Sequence, residues 1–352
     1  MSKLVSPLII NLDSTSIQPQ ERDLLNNAFI GSIILFAHNY STKKQLIQFI
    51  NDIKCINQDI LISVDHEGGR IQRFRDEFTP LPSLTKIGSK YRNNKNLALE
   101  VAYASGYTAG YELKSIGIDI NFSPVVDLTS SSTVLEGRTF SEQPSVTVNL
   151  ASCYMNGLID NGIIPVIKHY PGHGMIEQDT HKVLCHSNLT KNEIKPHLRV
   201  FQTLIQTYDI PIMTSHIKFT NISGEPVSTS KKWLIDMADE LFERKPFFIS
   251  DDIEMSGLID AYPELSRFDI LMKVLSSGCS MAIVTSMQKK DLIQNLLSPK
   301  YYNDEYISKL IQSSLDANGI EMSCHDKIIT NKGIEIMYNK NRGIVKKFNE
   351  SN

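Results

Sequence analysis

Disulfide and metal-binding patterns are missing from this sequence. Its five cysteines are an odd, scattered set without a CxxC pair, which is typical of reduced thiols in a reducing compartment. There is no HExxH motif, and the first turn after an apolar run, NLDSTSIQPQ, has none of the glycines that a dinucleotide-binding loop needs. We therefore expect no disulfide framework, no dinucleotide-binding fold and no cofactor.

Strong net charge and long apolar runs are missing too. The 352 residues have a net charge of −3, which gives no reason to expect a nucleic acid or an anionic membrane surface as a partner. No stretch approaches the ~20 apolar residues that span a bilayer. The short apolar run that ends at Asp13 lacks the length and the cleavage site of a signal peptide. We expect a cytoplasmic monomer without nucleic-acid or membrane partners.

The chain does contain a repeated alternation of short apolar runs and amphipathic segments. Mostly continuous apolar runs are typical of strands covered on both faces, and helix patterns lie between them, for example at 96–115 and 145–160. Strands that alternate with helices indicate βαβ units and a parallel sheet. We predict eight strands, at 7–12, 31–36, 59–64, 118–126, 163–167, 211–214, 247–250 and 279–285.

Eight such units favour a single α/β domain, a (β/α)8 barrel of the TIM type, over residues 1–325. The chain is long enough for this barrel, whose usual size is about 250 residues or more. A doubly wound open sheet is the alternative, although it usually has fewer strands and a glycine-rich first turn. The polar, lysine-rich residues 326–352 are expected to form a loosely attached C-terminal extension.

Ionisable residues follow seven of the predicted strands. Active sites of (β/α)8 barrels lie at the C-terminal ends of the strands, so these side chains are expected to converge on one pocket. For any one of them the alternative is a helix N-cap. The residues are Asp13, His38 with Asn39, Asp65 with His66 and Glu67, Asp127, Lys168 with His169, His216, and Asp251 with Asp252.

A histidine-rich loop follows the fifth predicted strand. It begins with KHYPGHG at 168–174 and continues to Asp179 and His181. An aspartate two residues before a histidine can polarise the imidazole and raise its basicity, which predicts acid–base chemistry. A metal site is the alternative, because the loop histidines and Cys185 could supply ligands. No HExxH motif or paired CxxC supports that alternative, and we predict no metal.

Taken together, these motifs resemble glycoside hydrolase family 3, specifically the single-domain β-N-acetylglucosaminidases of bacterial cell-wall recycling. The resemblance covers roughly residues 5–290. The pair KHYPGHG and DTH is highly specific, and SDDIEM after it strengthens the match. The matching segments are GSIILFAHNY (31–40), SVDHEGGRIQRF (63–74), NFSPVVDL (121–128), GRTFS (137–141), KHYPGHG with DTH (168–181), MTSHI (213–217) and SDDIEM (250–255).

The resemblance implies three catalytic roles. Asp251 resembles the nucleophile, and His181 resembles the general acid/base with Asp179 as its partner. Retaining glycosidases usually use two carboxylates about 5–5.5 Å apart, so a histidine on a loop is a departure that the family shares. Asp252 is the rival nucleophile. The family motif places the nucleophile first in the pair, and adjacent residues on an extended chain point in opposite directions.

The resemblance also implies a set of sugar-binding residues. Carboxylates would accept hydrogen bonds from sugar hydroxyls, and cations would donate to hydroxyls or to the acetamido carbonyl. For the two arginines the alternative is a surface salt bridge. The implied residues are Asp65, Arg73, Arg138, Lys168 and His169.

The implied activity is exo-hydrolysis of terminal β-N-acetylglucosamine from anhydro-muropeptide fragments, with retention of configuration through a covalent glycosyl-enzyme. The expected partner is therefore a small carbohydrate substrate that contains N-acetylglucosamine. Two alternatives use the same scaffold, a β-glucosidase and a phosphorylase that passes the glycosyl group to phosphate. A non-catalytic sugar-binding protein is an alternative of another class, and a metallohydrolase is a further one.

Overall fold

The protein folds around a parallel β-sheet that closes into a barrel. The computed structural model describes residues 6–128, 132–173, 176, 182–285 and 331–351. Nine of the strands in these residues form one sheet, in the order β7-β6-β3-β2-β1-β13-β12-β10-β8. The described strands are β1 (Leu8–Asn11), β2 (Ile30–Leu35), β3 (Leu61–Val64), β4 (His66–Gly68), β5 (Ile71–Gln72), β6 (Ile120–Asn121), β7 (Ile164–Pro165), β8 (Ile167–Tyr170), β9 (His186–Ser187), β10 (Ile212–Thr214), β11 (Lys218–Phe219), β12 (Phe248–Ser250) and β13 (Met281–Val284).

The stretch 164–170, which begins in the fifth predicted strand and extends past it, closes the ring. Its two halves, β7 and β8, are separated only by Val166, and they stand at opposite ends of the sheet order. Ile164 in β7 pairs with Ile120, whereas Ile167 in β8 pairs with Ile212. Because one continuous stretch of chain pairs on both sides, the sheet has no open end there. The predicted (β/α)8 barrel of the α/β class is confirmed.

Alternate residues of the strands enter two different apolar clusters. Ile9 belongs to a cluster inside the barrel, while Leu8 and Ile10 belong to the larger cluster between the sheet and the helices. A strand covered on both faces needs apolar residues at every position, which explains the continuous apolar runs in the sequence. The buried members of the inner cluster are Ile9, Ile34, Ile120, Phe122, Val166, Met213, Phe247, Ile249, Met281 and Ile283.

Amphipathic helices surround the barrel. In the second of them Leu46, Phe49, Ile50 and Ile53 are buried, as their helical spacing predicts. None of the described helices is long and apolar enough to cross a membrane. The described helices are α1 (Arg22–Leu25), α2 (Lys43–Ile56), α3 (Leu84–Tyr91), α4 (Lys95–Lys114), α5 (Pro144–Ile159), α6 (Lys191–Thr207), α7 (Met237–Leu241), α8 (Ser256–Ile259), α9 (Arg267–Ser276) and α10 (Asn331–Glu350).

The helix α10 packs firmly on the barrel. Its Val345 and Phe348 are 0% and 4% exposed, and the Tyr338 hydroxyl donates a 2.7 Å hydrogen bond to Glu112 Oε1 of α4. The expectation of a loosely attached extension is therefore wrong for residues 331–351. An apolar stripe among the lysines allows this docking, and composition alone did not reveal it. The domain boundary at residue 325 lies outside the described residues and stays a prediction.

We predict that replacing Tyr338 by phenylalanine destabilises the protein. Glu112 is 3% exposed, and it loses one donor while Thr79 still donates to it through its backbone N–H at 3.0 Å and its hydroxyl at 2.6 Å. A hydrogen bond to a charged group contributes about 1.5–3 kcal/mol, and we expect the free energy of unfolding to fall by about 1.5 kcal/mol. Urea unfolding followed by circular dichroism measures this loss.

The matched control is Tyr91→Phe. The Tyr91 hydroxyl accepts a 2.8 Å hydrogen bond from Asn149 at an exposed position, and its loss should cost less than about 0.5 kcal/mol. Equal losses for the two variants would contradict a specific role for the Tyr338 contact.

Candidate active site

A cavity of about 510 Å³ opens at the C-terminal ends of the barrel strands. Asp65 directly follows β3, and Asp251 directly follows β12, which places both at this end of the barrel. The pocket is strongly charged although the chain as a whole is nearly neutral. Its described charged and histidine residues are Asp65, Glu67, Arg70, Arg73, Arg138, Lys168, His169, Asp251 and Asp252.

The predicted convergence of seven strand ends is correct for three of them. The ends of strands three, five and seven bring their predicted polar residues into the pocket, but the predicted polar residues of the other four ends are absent from its described lining. Asn39 instead donates to the carbonyls of Leu12 and Ser14 at 2.9 and 2.8 Å. His216 lies between the Ser228 hydroxyl and the Asp252 carbonyl, at 2.7 and 3.0 Å. These side chains hold loops together at the barrel end.

Lys168 joins the third and fifth strand ends. Its Nζ lies 2.7 Å from Asp65 Oδ1 and 2.8 Å from Glu67 Oε1, and its side chain is only 3% exposed. Arg73 contacts the other oxygen of Asp65 at 3.1 Å. Burial alone would raise the pKa of the Asp65 carboxyl, but Lys168 and Arg73 hold it well below its usual range. Asp65, Arg73 and Lys168 therefore meet as the sequence predicts.

Glu67 is a site residue that the sequence placed at a strand end without predicting a role for it. Arg138 donates to both of its oxygens at 2.8 Å, in a bidentate pair. Burial opposes ionisation of this carboxyl, but Arg138 and Lys168 lower its pKa to about 2. Side chains alternate along an extended chain, and Glu67 lies two residues beyond Asp65, so it faces the same side. This alternation was the sequence signal that could have identified Glu67 as a pocket residue.

Asp127 lies beneath the pocket and orients His169. Its Oδ2 accepts hydrogen bonds from the His169 backbone N–H at 3.2 Å and from Nδ1 at 2.7 Å, and its Oδ1 accepts from the His173 N–H at 2.6 Å. Burial raises the pKa of Asp127, but His169 outweighs it and the net shift is downward. An ionised Asp127 requires the proton of His169 on Nδ1, so Nε2 is the ring nitrogen left for the pocket.

The adjacent aspartates at the end of β12 have different surroundings. Asp252 accepts from Glu254 N at 3.2 Å and Thr285 N at 3.3 Å, and also from the Thr285 hydroxyl. Burial, reinforced by the charge of Asp251, raises its pKa to about 6 despite these donors. Asp251 accepts a 2.9 Å hydrogen bond from the Asp252 N–H. Asp252 therefore acts as a loop-holding carboxyl.

The predicted acid/base pair falls outside the described residues. Asp179 and His181 both belong to the segment 177–181, and their roles stay predictions. The preceding His173 is buried, and burial together with His169 lowers its pKa to about 4, so it is neutral at pH 7. Within the described part of the chain, no group of three or more His, Cys, Asp or Glu side chains could hold a metal ion.

Comparison with known proteins identifies the family of this chain. The chain matches the description "Glycosyl hydrolase family 3 N terminal domain" over residues 4–309. It is 34% identical over 280 residues to a protein of Psychromonas ingrahamii named Beta-hexosaminidase, covering 79% of this chain and 82% of that one. A Nitrosomonas eutropha protein of the same name is 34% identical over 283 residues, covering 80% of each chain.

Solved structures agree on the fold. NagZ from Neisseria gonorrhoeae in complex with N-trifluoroacetyl-D-glucosamine superposes with a TM-score of 0.80 at 24% identity, over 99% of both chains. Native NagZ from the same organism gives a TM-score of 0.77 at 26% identity, over 98% of this chain and 99% of that one. The resemblance indicated by the sequence motifs is confirmed, and so is the prediction of a glycoside hydrolase. The chain belongs to glycosyl hydrolase family 3.

Proposed function

We propose that this protein is a cytoplasmic, monomeric, retaining exo-β-N-acetylglucosaminidase that acts on peptidoglycan-derived anhydro-muropeptides. The observation that carries the proposal is one pocket that contains both Asp251 and a cluster of ion-paired acidic and basic side chains. The curated relatives named Beta-hexosaminidase, and the NagZ complex with a glucosamine derivative, support the choice of sugar. No step of the proposed reaction needs a metal.

The ion-paired cluster binds the glycone in this proposal. Asp65 is 16% exposed in its side chain, so its oxygens can accept from sugar hydroxyls while Lys168 and Arg73 hold them in place. Arg138 is 10% exposed and can donate at the same wall. With Nδ1 held by Asp127, His169 has Nε2 left for a hydrogen bond with one more hydroxyl. Donors and acceptors fixed before binding lose little freedom when the sugar arrives.

Asp251 is the proposed nucleophile. One of its carboxylate oxygens would attack the anomeric carbon and form an ester bond, while the glycosidic C–O bond breaks. His181 would give its proton to the departing oxygen in this step. It would then take a proton from the water that cleaves the ester and releases the sugar with retained configuration. Asp252 is the weaker candidate, because backbone and hydroxyl donors already occupy its carboxyl.

We predict fast turnover of nitrophenyl β-N-acetylglucosaminide and at least tenfold slower turnover of the matching glucoside and N-acetylgalactosaminide, since single hydrogen bonds discriminate by about 1–3 kcal/mol. Each assay is run with and without phosphate and with and without EDTA. Preference for the glucoside would indicate a β-glucosidase, and appearance of glycosyl phosphate would indicate a phosphorylase. Loss of activity in EDTA would contradict a metal-independent reaction. No turnover of any of them would favour a non-catalytic sugar-binding protein.

We predict that Asp251→Ala lowers kcat by about 10⁴-fold or more, as removal of a covalent nucleophile does in other enzymes. A slow fluorinated substrate should leave its glycosyl label on Asp251, which mass spectrometry of the digested protein identifies. Asp252→Asn is the matched control, and it should keep the label on Asp251. A label on Asp252 in the native protein would exchange the two roles.

We predict that His181→Ala harms a disaccharide substrate more than the nitrophenyl glycoside. A sugar alkoxide needs a proton as it leaves, whereas a nitrophenolate does not, and general acid catalysis typically contributes about 10²–10⁴-fold. Azide, which needs no deprotonation, should restore the second step in this variant. Asp179→Ala should behave in the same way but more weakly. Equal losses on both substrates without rescue by azide would remove His181 from the reaction.

A further inference from the structure

Glu67 is a buried carboxylate whose oxygens are fully engaged by two cations. Its side chain is 1% exposed, and Arg138 and Lys168 beside it are 10% and 3% exposed. Oε1 receives Arg138 Nη2 and Lys168 Nζ, both at 2.8 Å, and Oε2 receives Arg138 Nε at 2.8 Å. Hydrogen bonds of this kind are about twice as strong as neutral ones, so the three groups form one rigid unit.

The same contacts leave Glu67 poorly suited to bind the sugar itself. Asp65, with a side chain that is 16% exposed, has surface left for a ligand, whereas Glu67 has almost none. Glu67 therefore acts through Arg138 and Lys168. Without it, Arg138 would lose the carboxylate that fixes its position at the wall of the pocket, and Lys168 would keep only its contact with Asp65.

Glu67 also affects the balance of charges in the pocket. The described lining of the pocket contains the four cations Arg70, Arg73, Arg138 and Lys168, and the four carboxyl groups Asp65, Glu67, Asp251 and Asp252. Clustered arginine and lysine side chains without carboxylate partners form a typical oxyanion site, because their donors match phosphate and sulfate geometry. Glu67 occupies the fork of Arg138 that such an anion would take.

We propose that Glu67 is a positioning and specificity-determining residue, which holds Arg138 and Lys168 for an uncharged sugar and excludes oxyanions from the same cations. This inference rests on the proposed function, since it takes this pocket as the sugar site. In this proposal the Glu67 carboxylate has two separate effects, on the position of the two cations and on the charge of the ligand that they bind. Its length and its two acceptor oxygens set where the two cations lie, and its charge sets what they attract.

The test compares Glu67→Gln with the native protein in the presence of sulfate. Sulfate is the probe because, unlike phosphate, it does not act as a glycosyl acceptor. In the native protein we expect no competitive inhibition by sulfate up to tens of millimolar. In Glu67→Gln the inhibition constant for sulfate should fall by about tenfold or more, because a like charge beside the anion is gone. A fall of about 10²-fold in kcat/KM should accompany it, as for other displaced positioning groups.

Two further variants separate position from charge and from stability. Glu67→Asp keeps the charge but is one methylene shorter, so kcat/KM should fall while sulfate still fails to inhibit. Glu112→Gln alters another buried carboxylate, 3% exposed and held by Thr79 and Tyr338. This control should lose stability without any change in KM or in the response to sulfate.

Sulfate binding is also measured directly, as a shift of the thermal unfolding midpoint, which needs no activity. If the native protein turns over no glycoside, the proposed function fails, but the shift still reports on anion exclusion. An unchanged response to sulfate in folded Glu67→Gln overturns the specificity role, and unchanged kcat/KM overturns the positioning role. If Glu67→Gln does not fold, Glu67→Ser removes the same charge with a smaller polar side chain and should admit sulfate by the same reasoning. Failure of that variant to bind sulfate also overturns the proposal.

Discussion

The Lys168 ammonium, held between Asp65 and Glu67, is the interaction on which the active end of the barrel depends. It links Asp65 after β3 and Glu67 in β4 to β8 through two contacts of 2.7 and 2.8 Å, and β6 lies between β3 and the stretch that β7 and β8 form. Charges this deeply buried are tolerated only when they are paired and well hydrogen-bonded. Each of the three side chains therefore limits the positions that the other two can take, and the segments that carry them are held in one arrangement. The arrangement of the proposed sugar-binding wall follows from that restriction.

Two layers of support lie behind this wall. Asp127 fixes the ring of His169 and the backbone at His173, both in the KHYPGHG segment. The second layer involves His66, which lies between Asp65 and Glu67 in the chain. Its side chain is absent from the pocket lining and packs against Phe74 and Phe78, with ring centroids 5.9 and 6.1 Å away. Burial lowers the pKa of His66 to about 3, so it behaves as an apolar ring at pH 7. One short segment thus supplies two carboxylates to the site and a neutral ring to the core.

Much of the fold could be predicted from the sequence, because parallel strands covered on both faces leave continuous apolar runs. The residues Asp65, Arg73, Arg138, Lys168 and His169 all line one pocket, as the motifs indicate. What could not be predicted depends on contacts between distant segments. Asp13 and His38 follow strands just as Asp65 does, and only packing decides which of them reaches the pocket.

The docking of α10 has a consequence for the order in which the protein matures. Tyr338 completes the set of donors around Glu112 from 226 residues further along the chain. Arg342 adds a 3.0 Å contact to the Thr79 hydroxyl, on the loop between β5 and α3. While the chain is being made on the ribosome, this buried carboxylate must wait for a donor from a distant, later-synthesised helix. The first third of the barrel therefore reaches its final polar pairing only after the last described helix has emerged and docked.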